Sequence, residues 1–132
     1  MPADQLEHFT IRCKNLETTR DFYREYLGLE AGPRPNFPFK GYWLYLGGVP
    51  VVHLVEETDA AAAGARGQHH STGGLDHIAF RASDFEATAA RLKRGDIRFR
   101  ETSVPDFGLR QIFLRDPDGI QIELNFRSAT TS

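Results

Sequence analysis

The sequence predicts an α+β fold made of two copies of one β-α-β-β-β module. Three observations carry this. Residues 6–12, LEHFTIR, return in near copy as residues 75–81, LDHIAFR. Each copy begins with period-two alternation and then switches to helical spacing. Turn signals rich in glycine and proline follow each helix, between strand-like runs. Repeats of this kind set a fold before any single element does.

The elements follow in chain order. In LEHFTIR, Phe9 and Ile11 share one face, and His8, Thr10 and Arg12 the other, because strand side chains alternate. The next stretch, CKNLETTRDFYREYLGLE, places Leu16, Thr19, Phe22, Tyr23, Tyr26 and Leu27 on one side of a helix. Asn15 is its cap and Gly28 its left-handed stop. YWLYLGGVPVVHLVE then reads as two strands around a Gly47-Gly48 turn. Residues 56–74, EETDAAAAGARGQHHSTGG, read as a linker with one helical turn at Ala60 to Ala63. His69 and His70 lie in it, as solvated loop residues or as part of a lid.

The second copy repeats the plan. In LDHIAFR, Ile78 and Phe80 oppose His77, Ala79 and Arg81. Phe85, Thr88, Ala89 and Leu92 mark the helix face, with Ser83 and Glu86 as a capping box and Gly95 as the left-handed stop. RQIFLRDPDGIQIELNF gives two strands around the Asp116-Pro-Asp-Gly119 turn. These readings set a single domain over 5–126. Its first module is 5–55, its linker 56–74 and its second module 75–126, with a polar tail at 127–132.

Composition excludes several functions. Of the 132 residues, 40% are hydrophobic and 26% charged, an ordinary globular balance. A net charge of −2 and no Lys/Arg cluster argue against nucleic acid. No apolar run approaches the ~20 residues that span a bilayer. The start, Met-Pro-Ala-Asp-Gln, lacks the regions of a signal peptide, and the lone Cys13 excludes an internal disulfide framework. A cytoplasmic home is the expectation, with Cys13 as a small structural hydrophobe.

Chemistry concentrates on the polar faces. In GIQIELNF, Ile120, Ile122, Leu124 and Phe126 form the apolar stripe, so Gln121, Glu123 and Asn125 face the other way. His53, between Val52 and Leu54, holds the place of Glu123 in the first module. The repeat therefore supplies His8 and His53 from one half, and His77 and Glu123 from the other. Three imidazoles and a carboxylate suit Zn, Fe, Mn, Co or Ni as divalent ions, and a strand histidine is otherwise a hydrogen-bonded residue. Phe37, Phe39, Tyr42, Trp43 and Tyr45 gather half-apolar rings. On the polar face, Trp43 and Tyr45 would sandwich a planar ligand; at alternate positions such rings fill the core instead. Arg12 and Arg81 meet a substrate carboxylate or pair with acids at strand ends, and Asn125 is a further candidate substrate contact.

With these residues in view, the chain resembles the vicinal oxygen chelate superfamily of glyoxalases, extradiol dioxygenases, epimerases and bleomycin-binding proteins. The resemblance spans nearly all of 5–126 and rests on LEHFTIRCKNLETTRDFYREYLGL, LDHIAFRASDFEA and FLRDPDGIQIEL. It implies paired βαβββ modules with curled mixed sheets around one divalent metal, a small-molecule substrate and a homodimer. His8, His77 and Glu123 match the two-histidine, one-glutamate set of several branches. His53 stands where glyoxalases have glutamate, so the second carboxylate of that branch is missing. The resemblance implies a metal-dependent lyase or isomerase with Glu123 as base. A small extradiol dioxygenase is the alternative. A non-enzymatic binding or resistance protein is a third reading, which the complete ligand set disfavours.

Overall fold

A computed structural model describes residue 3 and residues 5–57 and 74–127. The chain divides into two compact units, Met1–His70 and Ser71–Ser132. In the first, β1 (Phe9–Cys13) leads to α1 (Leu16–Phe22), a π-helical turn (Tyr23–Leu27), β2 (Glu30–Gly32), β3 (Gly41–Leu46) and β4 (Val49–Glu56). In the second, β5 (Ile78–Ala82) leads to α2 (Phe85–Arg94), β6 (Phe99–Val104), a 3₁₀ turn (Pro105–Phe107), β7 (Leu109–Arg115) and β8 (Gln121–Arg127). Both units are β-α-β-β-β, as the repeat predicts. The readings of Ala60 to Ala63, His69, His70 and the tail beyond Arg127 lie outside the described residues. No helix among those described is long and apolar enough to cross a membrane.

Each unit holds one four-stranded mixed sheet, in the orders β1-β4-β3-β2 and β5-β8-β7-β6. The outer pairs β1/β4 and β5/β8 are parallel, and all other pairs are antiparallel. Neither sheet closes on itself. Parallel pairing forces the chain to cross over one face, and the helix makes that crossing. The covered face is the core. In the first unit it holds Ile11, Leu16, Phe22, Tyr23, Leu44, Val52 and Leu54; in the second, Phe85, Ala89, Leu92, Ile112, Leu114, Ile122, Leu124 and Phe126. Burying each such aliphatic side chain contributes about 1.5–3 kcal/mol. Cys13 belongs to this core and is wholly buried.

Local signals hold where they are local. Asn15 caps α1, its Oδ1 accepting from Thr18 N at 2.9 Å. Gly47 and Gly48 both have positive φ, 58° and 84°, as a tight β3/β4 hairpin requires. Asp116 is buried, and its Oδ1 accepts from the backbone N–H groups of Asp118 and Ile120, which closes the β7/β8 turn.

Three expectations are corrected. The first helix is not α-helical to Leu27, because its last turn widens to π geometry. Gly28, at φ 78°, still terminates it. The closing bonds, Gly28 N–H to Arg24 O and Leu29 N–H to Tyr23 O, each span one residue more than in a Schellman ending. The extra residue is absorbed while Tyr23 stays fully buried. Asp84, not Ser83, caps α2: its Oδ1 accepts from Ala87 N at 3.1 Å. That one-residue shift sets Phe85 in the first turn against Phe126, ring centroids 5.2 Å apart, and leaves Glu86 to bind Arg110 at 3.0 Å. Past α2 the left-handed residue is Asp96 (φ 57°) rather than Gly95 (φ −84°). A short polar side chain tolerates that conformation best after glycine.

Adjacent residues of β8 separate the two faces experimentally. Leu124→Ala should lower unfolding free energy by about 2–5 kcal/mol through cavity formation. Glu123→Gln, one position away, should change it by about 1 kcal/mol or less. Urea denaturation of both variants checks this; equal losses would mean that Glu123 belongs to the core.

Candidate metal centre

The parallel pairings set the site residues. In the first unit Thr10 lies opposite His53, and in the second Ala79 lies opposite Glu123. His8 and His77 each stand two residues upstream of those partners, just ahead of β1 and β5 rather than within them. Two positions along a strand return to the same face, so each histidine is brought to its partner. The repeat equivalence of His8/His53 and His77/Glu123 is therefore a matter of strand register.

The two pairs differ in chemistry. His8 and His53 stack, ring centroids 3.7 Å apart and planes 12° apart. Trp43, opposite His53 in the ladder, stacks on its other side at 4.1 Å. In the second unit His77 Nε2 lies 2.9 Å from Glu123 Oε1. Among the described residues, no group of three or more His, Cys, Asp or Glu is arranged to hold a metal ion.

His8 and His53 each have one nitrogen engaged, and His77 has both. His8 Nδ1 meets Glu7 Oε1 at 2.9 Å, and His77 Nδ1 meets Asp76 Oδ2 at 2.8 Å. His53 Nε2 donates to Pro50 O at 3.1 Å. The nitrogens turned away from those outer partners are Nε2 of His8, Nδ1 of His53 and Nε2 of His77, the last of which meets Glu123 Oε1 at 2.9 Å. A carboxylate on the far nitrogen orients an imidazole and raises its basicity, as metal-ligating histidines require. By type, imidazole nitrogens oriented by neighbours and a carboxylate oxygen are donors that suit a borderline divalent ion; within the second unit His77 and Glu123 present one of each.

Glu123 has a second anchor. Gln111 Nε2 donates to Glu123 Oε2 at 3.1 Å and to Asn125 Oδ1 at 3.0 Å, while Gln111 Oε1 accepts from the Thr102 hydroxyl at 2.7 Å. Oε2 is held in the sheet, and Oε1 faces His77. Sequence reading passed over Gln111, although its alternation with Ile112 and Leu114 places it on the polar face. Glu7 and Asp76 were legible only as the acids of the repeat.

The other candidates divide. Trp43 is part of the three-ring stack, and Phe37 lies 6.4 Å from it. Tyr45 donates its hydroxyl to Pro33 O at 2.6 Å, and its ring covers Gly32, where an added Cβ would meet it at 2.7 Å. Arg12 and Arg81 are exposed and pair with no carboxylate among the described residues. Asn125 is half-buried and bound to Gln111.

Repeated βαβββ units with donor side chains on the face opposite the helix define a class of proteins. Comparison with known proteins makes the class specific. The chain belongs to the Glyoxalase/Bleomycin resistance protein/Dioxygenase superfamily, whose family model matches residues 5–124. Glyoxylase I 4 of Arabidopsis thaliana is 25% identical over 122 residues, 90% of this chain and 68% of that protein. A glyoxylase/bleomycin resistance protein/dioxygenase domain from Frankia superposes with a TM-score of 0.73 at 21% identity, covering 96% of this chain and 99% of that one. A mutant of the fosfomycin resistance protein FosX from Listeria monocytogenes, complexed with Mn(II) and 1S,2S-dihydroxypropylphosphonic acid, superposes at 0.72 with 18% identity, covering 97% and 95%.

In metal-free protein His77 and His53 should titrate apart. Asp76 foremost, and also Glu123, hold the His77 pKa above its ordinary 6.5, against some desolvation. Burial first, and then the charge of His8, hold His53 below 6.5, against the Pro50 carbonyl. The contribution of His77 to folding is present at low pH and lost as pH rises through its folded value. That of His53 is present at high pH and lost as pH falls through its own. NMR titration of the ring protons checks the order, and Asp76→Asn should move His77 downward.

Proposed function

We propose that this chain is a divalent-metal-dependent enzyme of the lyase or isomerase type, acting on a small metabolite through two neighbouring oxygens. The observation that carries the reading is the repeated register, which gives each unit a donor pair at equivalent positions. His8 and His77 by Nε2, His53 by Nδ1 and Glu123 by a carboxylate oxygen would hold the ion. The relative named as a glyoxylase supports the class of reaction. The structurally similar protein bound to Mn(II) supports the class of cofactor, and the other ligand of that complex carries hydroxyls on neighbouring carbons. When bound, the metal supplies Lewis acidity to negative charge developing on substrate oxygen.

The chain's own residues do the rest. Glu123 is the only carboxylate of the four, so proton movement falls to its Oε1. Gln111 keeps the carboxylate oriented through Oε2 while Oε1 changes partner. Glu7 and Asp76 hold their imidazoles in one tautomer. Trp43 presents a flat wall beside His53, and Asn125 offers a polar contact beside Glu123. Arg12 and Arg81 supply positive charge. The Tyr45 hydroxyl is engaged by Pro33, which makes that ring a wall rather than a hydrogen-bonding contact. Since each unit contributes half of the donors, we propose a homodimer in which two copies complete two sites. The protein acts in the cytoplasm, in keeping with its single buried thiol.

Metal analysis of protein purified without added metal tests the reading. His8→Ala, His77→Ala and Glu123→Ala should each weaken binding at least about tenfold, more than loss of a histidine's outer partner does at the low end, and His53→Ala should weaken it less. A triple variant of His8, His77 and Glu123 that still holds one equivalent of metal would remove the proposed site. Glu123→Gln should keep most of the metal and lose about 10²- to 10⁴-fold in turnover if Glu123 moves the proton. Iron with oxygen consumption on catechols would instead assign the extradiol reaction, whose triad has the same two histidines and carboxylate. A monomer in sedimentation at micromolar concentration, with metal retained, would count against the dimer.

A further inference from the structure

The second unit carries a groove of about 640 Å³ whose lining includes Asp96, Arg98, Arg100, Phe113, Arg115 and Gln121. That lining holds three arginines and one carboxylate residue. Arg115 is committed, donating to Gly119 O at 2.8 Å and to Gln121 Oε1 at 3.1 Å. Arg98 and Arg100 are exposed and meet no carboxylate among the described residues. Arg100 lies over the Phe113 ring, 4.4 Å from its centroid. A guanidinium held against a ring face can still offer its N–H edge, the form suited to two parallel hydrogen bonds to a planar or tetrahedral anion.

Register places this groove beside Glu123. Arg100 pairs with Phe113, and Phe113 pairs with Glu123, so the three form one row across β6, β7 and β8. Two strand spacings separate the backbones of Arg100 and Glu123, about 10 Å. The matching row of the first unit is Gly32, Trp43 and His53. There the edge position has no side chain and is roofed by Tyr45. The module therefore folds without a charge at this place, and the second unit has put arginine there.

We propose that this groove binds the anionic end of the substrate, a carboxylate or a phosphoryl group, a few bonds from the carbons that react at Glu123. That the anion belongs to a substrate rests on the metal-dependent reading above. That the groove binds anions does not. Arg98 and Arg100 make the direct contacts, Phe113 supports Arg100 from beneath, and Arg115 adds charge while fixing Gln121.

The test is an amide NMR titration of the full chain at low salt, with inorganic phosphate and with malonate as probes. Saturable shifts at Arg98, Arg100, Phe113 and Gln121 are expected. Arg100→Gln should weaken binding about tenfold or more, as loss of a charge-assisted pair does. Arg98→Gln should do the same independently, should the first variant disturb the sheet edge. Arg94→Gln, which removes equal charge from the exposed end of α2, should leave binding unchanged. Saturation by malonate alone assigns a carboxylate, by phosphate alone a phosphoryl group, and by both their shared chemistry. No saturable shift with either anion, or equal weakening by Arg94→Gln, overturns the proposal. Metal titration of the same sample separates the two readings: anion binding without metal keeps the groove and removes the metal site, and metal binding without anion binding does the reverse.

Discussion

The parallel pairing of the first and last strands in each unit is the constraint from which the rest follows. A parallel neighbour cannot be reached by a hairpin, so the chain must cross one face of the sheet. That crossing becomes a helix and makes one face apolar. The other face is then free for polar residues, and the pairing fixes which of them meet. His8 reaches His53, and His77 reaches Glu123, because β1/β4 and β5/β8 share one register. A slip of one residue in either pair would turn His53 or Glu123 into the helix-packed core and bring Leu54 or Leu124 out.

How much of this was legible follows from the range of each interaction. The modules were readable because their signals lie within a few residues: the Asn15 cap, the Gly28 stop, the Gly47-Gly48 turn and the Asp116 turn. Ser83 and Gly95 were misread by one position each, where a neighbouring aspartate served as well and burial of Phe85 decided between equals. The π turn before Gly28 leaves no periodic signature in so short a helix. Of the candidate centre, the four donors stood out because the repeat displays them twice. Gln111 did not, because its importance comes from lying opposite Asn125, and cross-strand register is not written in local sequence. The ring stack of Trp43, His53 and His8 was hidden for the same reason.

The two units also show what a repeated module can change without losing its fold. The covered faces remain interchangeable in kind, aliphatic and aromatic in both. The open faces have diverged position by position. Histidine stands for glutamate at 53 and 123, tryptophan for phenylalanine at 43 and 113, and glycine for arginine at 32 and 100. One open face is lined by rings, the other by an amide network and guanidinium groups.

Trp43 is the sole tryptophan of the chain, and it lies flat against His53. Every photon emitted by indole in this protein therefore comes from a ring in contact with one imidazole. Protonation of that imidazole, or withdrawal of its electrons toward a cation, alters the environment of the excited state directly. The fold has in effect placed its only strong fluorophore within one ring's thickness of a candidate ligand, so that occupancy there has an optical signature without any label.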